Sequence, residues 1–172
     1  MRKFIVLILL SFVAKIPLDF SLKNEKPKEE IKIIKKVEEE REIMTLEIPK
    51  INFIGNIYSK ESKLNDIDKN IIIMPESDFP DKKNGIIIIG GHSGIGKLAY
   101  FKNLNKLSIK DIAKIKYNNK EYIYEVVNYY LDDKNGNITI NNVNNKKKLF
   151  LYTCNPSDKK NYLVIVLEEK II

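Results

Sequence analysis

Apolar residues in this chain come in short runs separated by polar stretches rich in Asn, Asp, Lys and Gly. Few of the runs carry a helical period, and their length and β-branched content predict strands. Met44–Ile51 alternates apolar and polar, with Pro49 tolerated only at an edge or bulge. Phe53–Tyr58 follows as a second strand, Lys60–Lys69 as a polar turn, and Ile71–Met74 as a short apolar strand. Pro75–Gly85 is a loop by its Pro, Asp and Asn-Gly content, and Ile86–Gly91 is an unbroken apolar strand that runs out at His92. Leu98, Phe101 and Leu104 are spaced as one face of a short helix. Asp111–Tyr117 and Glu121–Leu131 form a hairpin, because Asn118-Asn119 supplies the positive φ values of a two-residue turn. Ile138–Ile140 is expected to be a small strand. Leu149–Thr153 is a buried strand ending at Cys154, and Tyr162–Leu167, after a seven-residue connection, is the last strand. So many short strands with so few helices predict an all-β barrel, with short helices confined to the connections.

The N-terminal part is built differently. Met1-Arg-Lys precedes an uncharged apolar run from Phe4 to Ala14, and Lys15 interrupts it. A spanning helix needs roughly 20 apolar residues and a secretory h-region roughly 7–15, so both a short anchor and a cleaved signal fit residues 1–22. Basic residues before the run predict an exported C-terminal part. Residues 23–43 are dense in charge and poor in apolar side chains, which predicts a stalk, either a solvated spacer or a helix lying over the site. Residues 44–172 are then one domain with one core.

Net charge is +7, and the excess of Lys is spread along the chain. Basic residues do not alternate with aromatics in a stripe, so nucleic acid is the weakest partner class, behind anionic membrane and cell-wall polymers. One cysteine excludes an internal disulfide framework. Both arginines, Arg2 and Arg41, precede the domain, which contains none.

Cys154 and His92 are the only residues of their types. A free cysteine is commonly a small buried hydrophobe, but this one lies where a strand opens into Asn155-Pro156, and a thiolate with a base beside it is a nucleophile. His92 is flanked by Gly90-Gly91 and Ser93-Gly94, which allow close approach of backbone or substrate. A single His with a single Cys makes a poor metal site, and no cofactor is implied. Glu76, Asp78, Asp81, Asp132 and Asp133 lack the spacing of a calcium loop and are expected to solvate their loops.

Ile89-Gly-Gly-His92 with Ser93-Gly94 resembles the histidine segment of sortases, and Phe150-Leu-Tyr-Thr-Cys154 resembles their cysteine strand, with Phe150 in place of a Thr. Leu46-Glu-Ile-Pro-Lys-Ile51, Ser77-Asp-Phe-Pro80 and Tyr100-Phe-Lys-Asn-Leu104 are similar to further segments of the family. The resemblance covers Met44 to Leu167 and is nearest to the short class D-like or housekeeping-like type. It implies a closed eight-stranded β-barrel held at the cell membrane by an N-terminal segment, with the catalytic domain outside. The implied reaction is cysteine transpeptidation. Cys154 attacks a Leu-Pro-x-Thr-Gly-like sorting signal near the C-terminus of a secreted protein and forms a thioacyl-enzyme. His92 moves the protons, and a peptidoglycan-precursor or pilin amine takes the acyl group. Thr153 and Ser93, next to the pair, are the implied substrate contacts. The family's third residue, an arginine at the start of the last strand, falls on Asn161 or Tyr162, either of which can donate a neutral hydrogen bond; Lys159 or Lys160 offers a charge instead. The missing arginine leaves two further readings open, a peptide-binding barrel without turnover and a thiol hydrolase of the same peptides.

Overall fold

The computed structural model describes residues 32, 35–36, 40–136, 138–140, 146–158 and 160–171. The expected anchor or signal at 1–22, most of the stalk and Lys159 lie outside them. None of the helices among the described residues is long and apolar enough to cross a membrane.

Eight strands form one sheet: β1 (Glu42–Ile48), β2 (Phe53–Tyr58), β3 (Ile72–Ile73), β4 (Ile86–Gly90), β5 (Ile112–Tyr117), β6 (Lys120–Asp133), β7 (Lys148–Cys154) and β8 (Asn161–Glu169). Their order is β2-β1-β5-β6-β8-β7-β4-β3, and every pairing is antiparallel except β4 with β7. The sheet curls until its two edges approach: a Cβ added at Gly55 of β2 would lie 3.1 Å from Ile71, just before β3. The result is a nearly closed barrel, as the strand pattern predicts.

The pattern also explains which strands lie deepest. In β1 the alternation Met44, Leu46, Ile48 points inward and the residues between face out. In β4, β7 and β8 the apolar residues are continuous, and these strands are buried on both faces. Ile87, Ile89, Leu149, Leu151, Leu163 and Ile165 enter the barrel core. Ile88, Phe150, Val164 and Val166 form a second cluster outside it, covered in part by Tyr130, Ile138 and Ile140.

Asn118 and Asn119 both have positive φ, 49° and 59°, and join β5 to β6 as expected. Three local expectations need correction. Pro49 begins a 3₁₀ turn (Pro49–Ile51) after β1 and is not part of the strand. Leu98, Phe101 and Leu104 do not share a helix. Phe101 donates its backbone N–H to the His92 carbonyl at 2.8 Å, which fixes a series of turns ending in a 3₁₀ turn at Leu104–Lys106; Leu98 stays 41% exposed. Ile138–Ile140 is not a strand, because its two isoleucines are drawn onto the outer apolar cluster instead of into the sheet.

Candidate active site

The parallel β4–β7 pair sets the site. Its register runs from Ile86 opposite Lys148 to Gly90 opposite Tyr152. Both strands then leave the ladder in the same direction, so His92 and Cys154 emerge level with each other, each two residues past the last pair. Adjacent strands lie about 4.8 Å apart, which brings these two residues to one spot at the rim of the barrel. The exit is tied down. Gly91 N–H donates to the Tyr152 carbonyl at 3.2 Å, and the Thr153 hydroxyl donates to the Gly91 carbonyl at 2.6 Å. Two glycines make room here. A Cβ at Gly90 would fall 2.4 Å from the Tyr152 ring, and one at Gly91 would fall 2.9 Å from Phe101.

Strand alternation divides β7 into two sets. Leu149, Leu151 and Thr153 point inward, while Phe150, Tyr152 and Cys154 share the outer face. Cys154 is half-buried and is register partner of Tyr162 on β8. Tyr152 and Tyr162 meet edge to face, with centroids 5.8 Å apart, and the Tyr152 hydroxyl reaches Met74 Sδ at 3.0 Å. Together with Ile86, Ile88, Gly136, Ile138 and Ile140 they line a groove of about 390 Å³ whose far rim carries Glu76 and Asp78. Burial, and after it the charges of Tyr162, Glu76 and Cys154, push the Tyr152 phenol up to about 12, so it is a neutral donor at neutral pH. Asp78 anchors the rim: its carboxylate accepts from Lys82 Nζ and from Ile86 N–H, and both bonds, the lysine first, hold it below the usual carboxylate range.

Each reactive side chain has a charged neighbour. His92 Nε2 lies 3.3 Å from Asp68 Oδ1, with the side chains 42% and 82% exposed. Lys134, immediately after β6, places Nζ 3.3 Å from Cys154 Sγ and 5.8 Å from the centre of the Tyr162 ring. Its hydrogen bond to Cys154, and then the charge of that group, hold the ammonium above the ordinary lysine value. The arrangement has the parts of nucleophilic acyl transfer: a thiol with a cation on it, an imidazole at the end of the neighbouring strand, and an apolar groove whose wall includes Tyr162, the thiol's register partner.

A family model described as Sortase domain matches residues 46–170. The chain belongs to the sortase family. Sortase D of Bacillus subtilis (strain 168) is 31% identical over 111 residues, covering 64% of this chain and 53% of that protein. This sortase therefore spans about half the length of the curated relative it matches. Among solved structures, sortase A from Corynebacterium diphtheriae (a lid mutant) aligns at a TM-score of 0.63 with 20% identity, over 77% of this chain and 72% of that one. Sortase C2 of Group B Streptococcus Pilus Island 1 aligns at 0.66 with 22% identity, over 77% and 76%. At these identities the structures show the shared fold.

The residues singled out in the sequence divide accordingly. Cys154 and Tyr162 are register partners, and His92 follows the end of β4, the other neighbour of β7. The sortase fold turns Thr153 away: the side chain is 2% exposed and its hydroxyl ties two strand ends, so it is not offered to a substrate. Ser93 follows His92 at the rim, half-buried. Asn161 pairs with Asp133 and bonds its own turn, its side-chain amide donating to Asp158 Oδ2 at 2.8 Å, so of the two candidates for the arginine's place Tyr162 stands opposite the thiol. Lys160 is exposed, with its backbone N–H on Asp158. Asp132 and Asp133 were expected in a loop but close β6, and Asp132 accepts from Thr139 N–H at 2.5 Å. Sequence reasoning missed Lys134 and Asp68. Lys134 gave no local signal: only the pairing of Asp133 with Asn161 in the folded sheet sets the residue after β6 beside the start of β8. Asp68 gave no signal, because only the turns after Ser59 bring it to His92.

Proposed function

We propose that the protein is a surface-anchored cysteine transpeptidase that cleaves a Leu-Pro-x-Thr-Gly-like sorting signal and passes the acyl group to a cell-wall or pilin amine. The observation that supports the reading is the parallel pairing of β4 and β7, whose ends run out at His92 and Cys154, with an apolar groove walled by Tyr152 and Tyr162 of β7 and β8. In this reading the groove takes the apolar side chains of the signal, and its length along β7 and β4 suits an extended peptide.

The Cys154 sulfur attacks the carbonyl carbon of the scissile bond, and the C=O π pair moves onto oxygen. When the tetrahedral species collapses, the C–N bond breaks and its electron pair leaves on nitrogen, which takes a proton from the His92 imidazolium. The thioester that remains is attacked by an incoming amine, whose proton returns to His92 as the sulfur leaves. The apolar run at Phe4–Ala14 serves as the membrane anchor and residues 23–43 as its spacer, with the barrel on the outer side.

A panel of fluorogenic Leu-Pro-x-Thr-Gly-like peptides, given to the full chain with and without a glycine or diaminopimelate amine, tests the reading. Amine-dependent ligation that disappears in Cys154→Ala and falls at least about 10²-fold in His92→Ala is expected. Cleavage independent of the amine identifies a hydrolase. Binding without cleavage, unchanged by Cys154→Ala, identifies a peptide-binding barrel and overturns the reading.

A further inference from the structure

The barrel contains no arginine, so a guanidinium cannot serve its thiol. Its cation arrives from another strand. β6 pairs with β8 up to Asp133 opposite Asn161, and β8 pairs with β7 at Tyr162 opposite Cys154. The residue after Asp133 therefore reaches across the start of β8, and its backbone is fixed there by the Lys134 N–H, which donates to the Lys160 carbonyl at 3.0 Å. From that point the side chain passes the Tyr162 ring and ends 3.3 Å from Cys154 Sγ.

We propose that Lys134 is the cationic catalytic residue of this site, favouring the thiolate of Cys154 in the resting protein and then donating to the oxyanion formed on the scissile carbonyl. The second half of this role rests on the transpeptidase reading; the first half does not. Three facts carry the assignment. Lys134 Nζ is the cation bonded to Cys154. Tyr162 occupies the position across from the thiol, and its ring face guides the ammonium instead of supplying charge. The backbone bond to Lys160 sets the stem at the mouth of the apolar groove, whose wall begins two residues later at Gly136. An ammonium keeps three donors and rotates about a flexible stem, so one N–H can follow the charge as it passes from sulfur to the carbonyl oxygen. In that step the sulfur pair forms the S–C bond, the C=O π pair becomes the oxyanion, and Lys134 keeps its proton throughout. The half-buried Asp158 and exposed Lys160 just before β8 bond their own turn.

The test separates the two halves. Alkylation of Cys154 by iodoacetamide at pH 7, followed by intact mass on the full chain, reads thiolate availability without any peptide. Lys134→Met is expected to slow it about five- to tenfold, the scale of one charge-assisted bond near the surface. Lys134→Arg is expected to stay within about threefold of wild type, and Lys160→Met to leave it unchanged. In the peptide assay Lys134→Met then loses about 10²-fold in kcat with little change in KM, the size of a lost oxyanion donor. Equal alkylation of wild type and Lys134→Met overturns the assignment, as does an equal loss in Lys160→Met. Slow alkylation of Lys134→Met in a protein that turns over no peptide leaves the Lys134–Cys154 pair standing and removes the transpeptidase reading instead.

Discussion

Thr153 and Cys154 are neighbours with opposite assignments, and the pleat of β7 decides which is which. The thiol lies on the outer face, opposite Tyr162; the hydroxyl faces inward and ties β7 to the end of β4. Thr153→Val keeps the shape and deletes the donor, leaving the buried Gly91 carbonyl short of a partner. It is expected to cost about 1–2 kcal/mol, read as a lower midpoint in urea. Because that tether holds His92 level with Cys154, activity should fall as well, with the rate of thiol alkylation unchanged. Asn161 and Tyr162 are separable in the same way. Asn161→Ala is expected to loosen the turn by about 1 kcal/mol and leave kcat/KM within threefold, since its amide bonds Asp158. Tyr162→Ala removes the ring that faces Cys154 across the ladder and the wall of the groove at once, and is expected to lower kcat/KM at least about tenfold.

Strands β4 and β7 could be read from composition alone, and so could their reactive ends. Four consecutive isoleucines before Gly90, and Leu149–Leu151 before the only cysteine, describe strands with no polar face, and such strands are central ones. What composition does not record is which strand lies beside which. Lys134 was overlooked because nothing local distinguishes it from the other lysines; its role depends on β8 lying between β6 and β7. Ile138–Ile140 misleads for the opposite reason. Its alternation is real, but it serves an outer apolar cluster that exists only once β4, β7 and β8 are assembled. Gly90 is a further case of a residue explained by a distant partner. It reads as a loosening of the strand, yet its missing Cβ is the space that Tyr152 fills. Gly90→Ala should therefore displace that ring, cost about 1–3 kcal/mol and raise KM for peptide more than it lowers kcat. The penalty should shrink when Tyr152 is already Ala, and a double-mutant cycle in urea checks the coupling.

Across the molecule, the two faces of the central strands give the barrel two apolar regions, one sealed inside and one left as a groove. The tyrosines at both register this burial. Tyr124 in the core and Tyr152 in the groove wall both resist ionisation, chiefly through desolvation. The direction of the consequence follows from proton binding. Below pH 10 both phenols are neutral, folded or unfolded, and their contribution is complete. Between the ordinary value of 10.0 and about 12, Tyr152 ionises in the unfolded chain but not in the folded one, so stability declines as pH rises through that window. Urea midpoints measured from pH 8 to 11.5 should fall above pH 10, and Tyr152→Phe should flatten part of that slope.

The level exit of β4 and β7 also sets a timetable. His92 and Cys154 end neighbouring strands, but about half of the domain's length separates them along the chain, and β8, which closes the other flank of β7, comes later still. Contacts this distant in sequence form last. A chain emerging from its N-terminus has its histidine, its edge strands and its hairpin long before the cysteine strand has two neighbours to lie between. The thiol thus gains its lysine and its flanking strands only when the last strand is laid down.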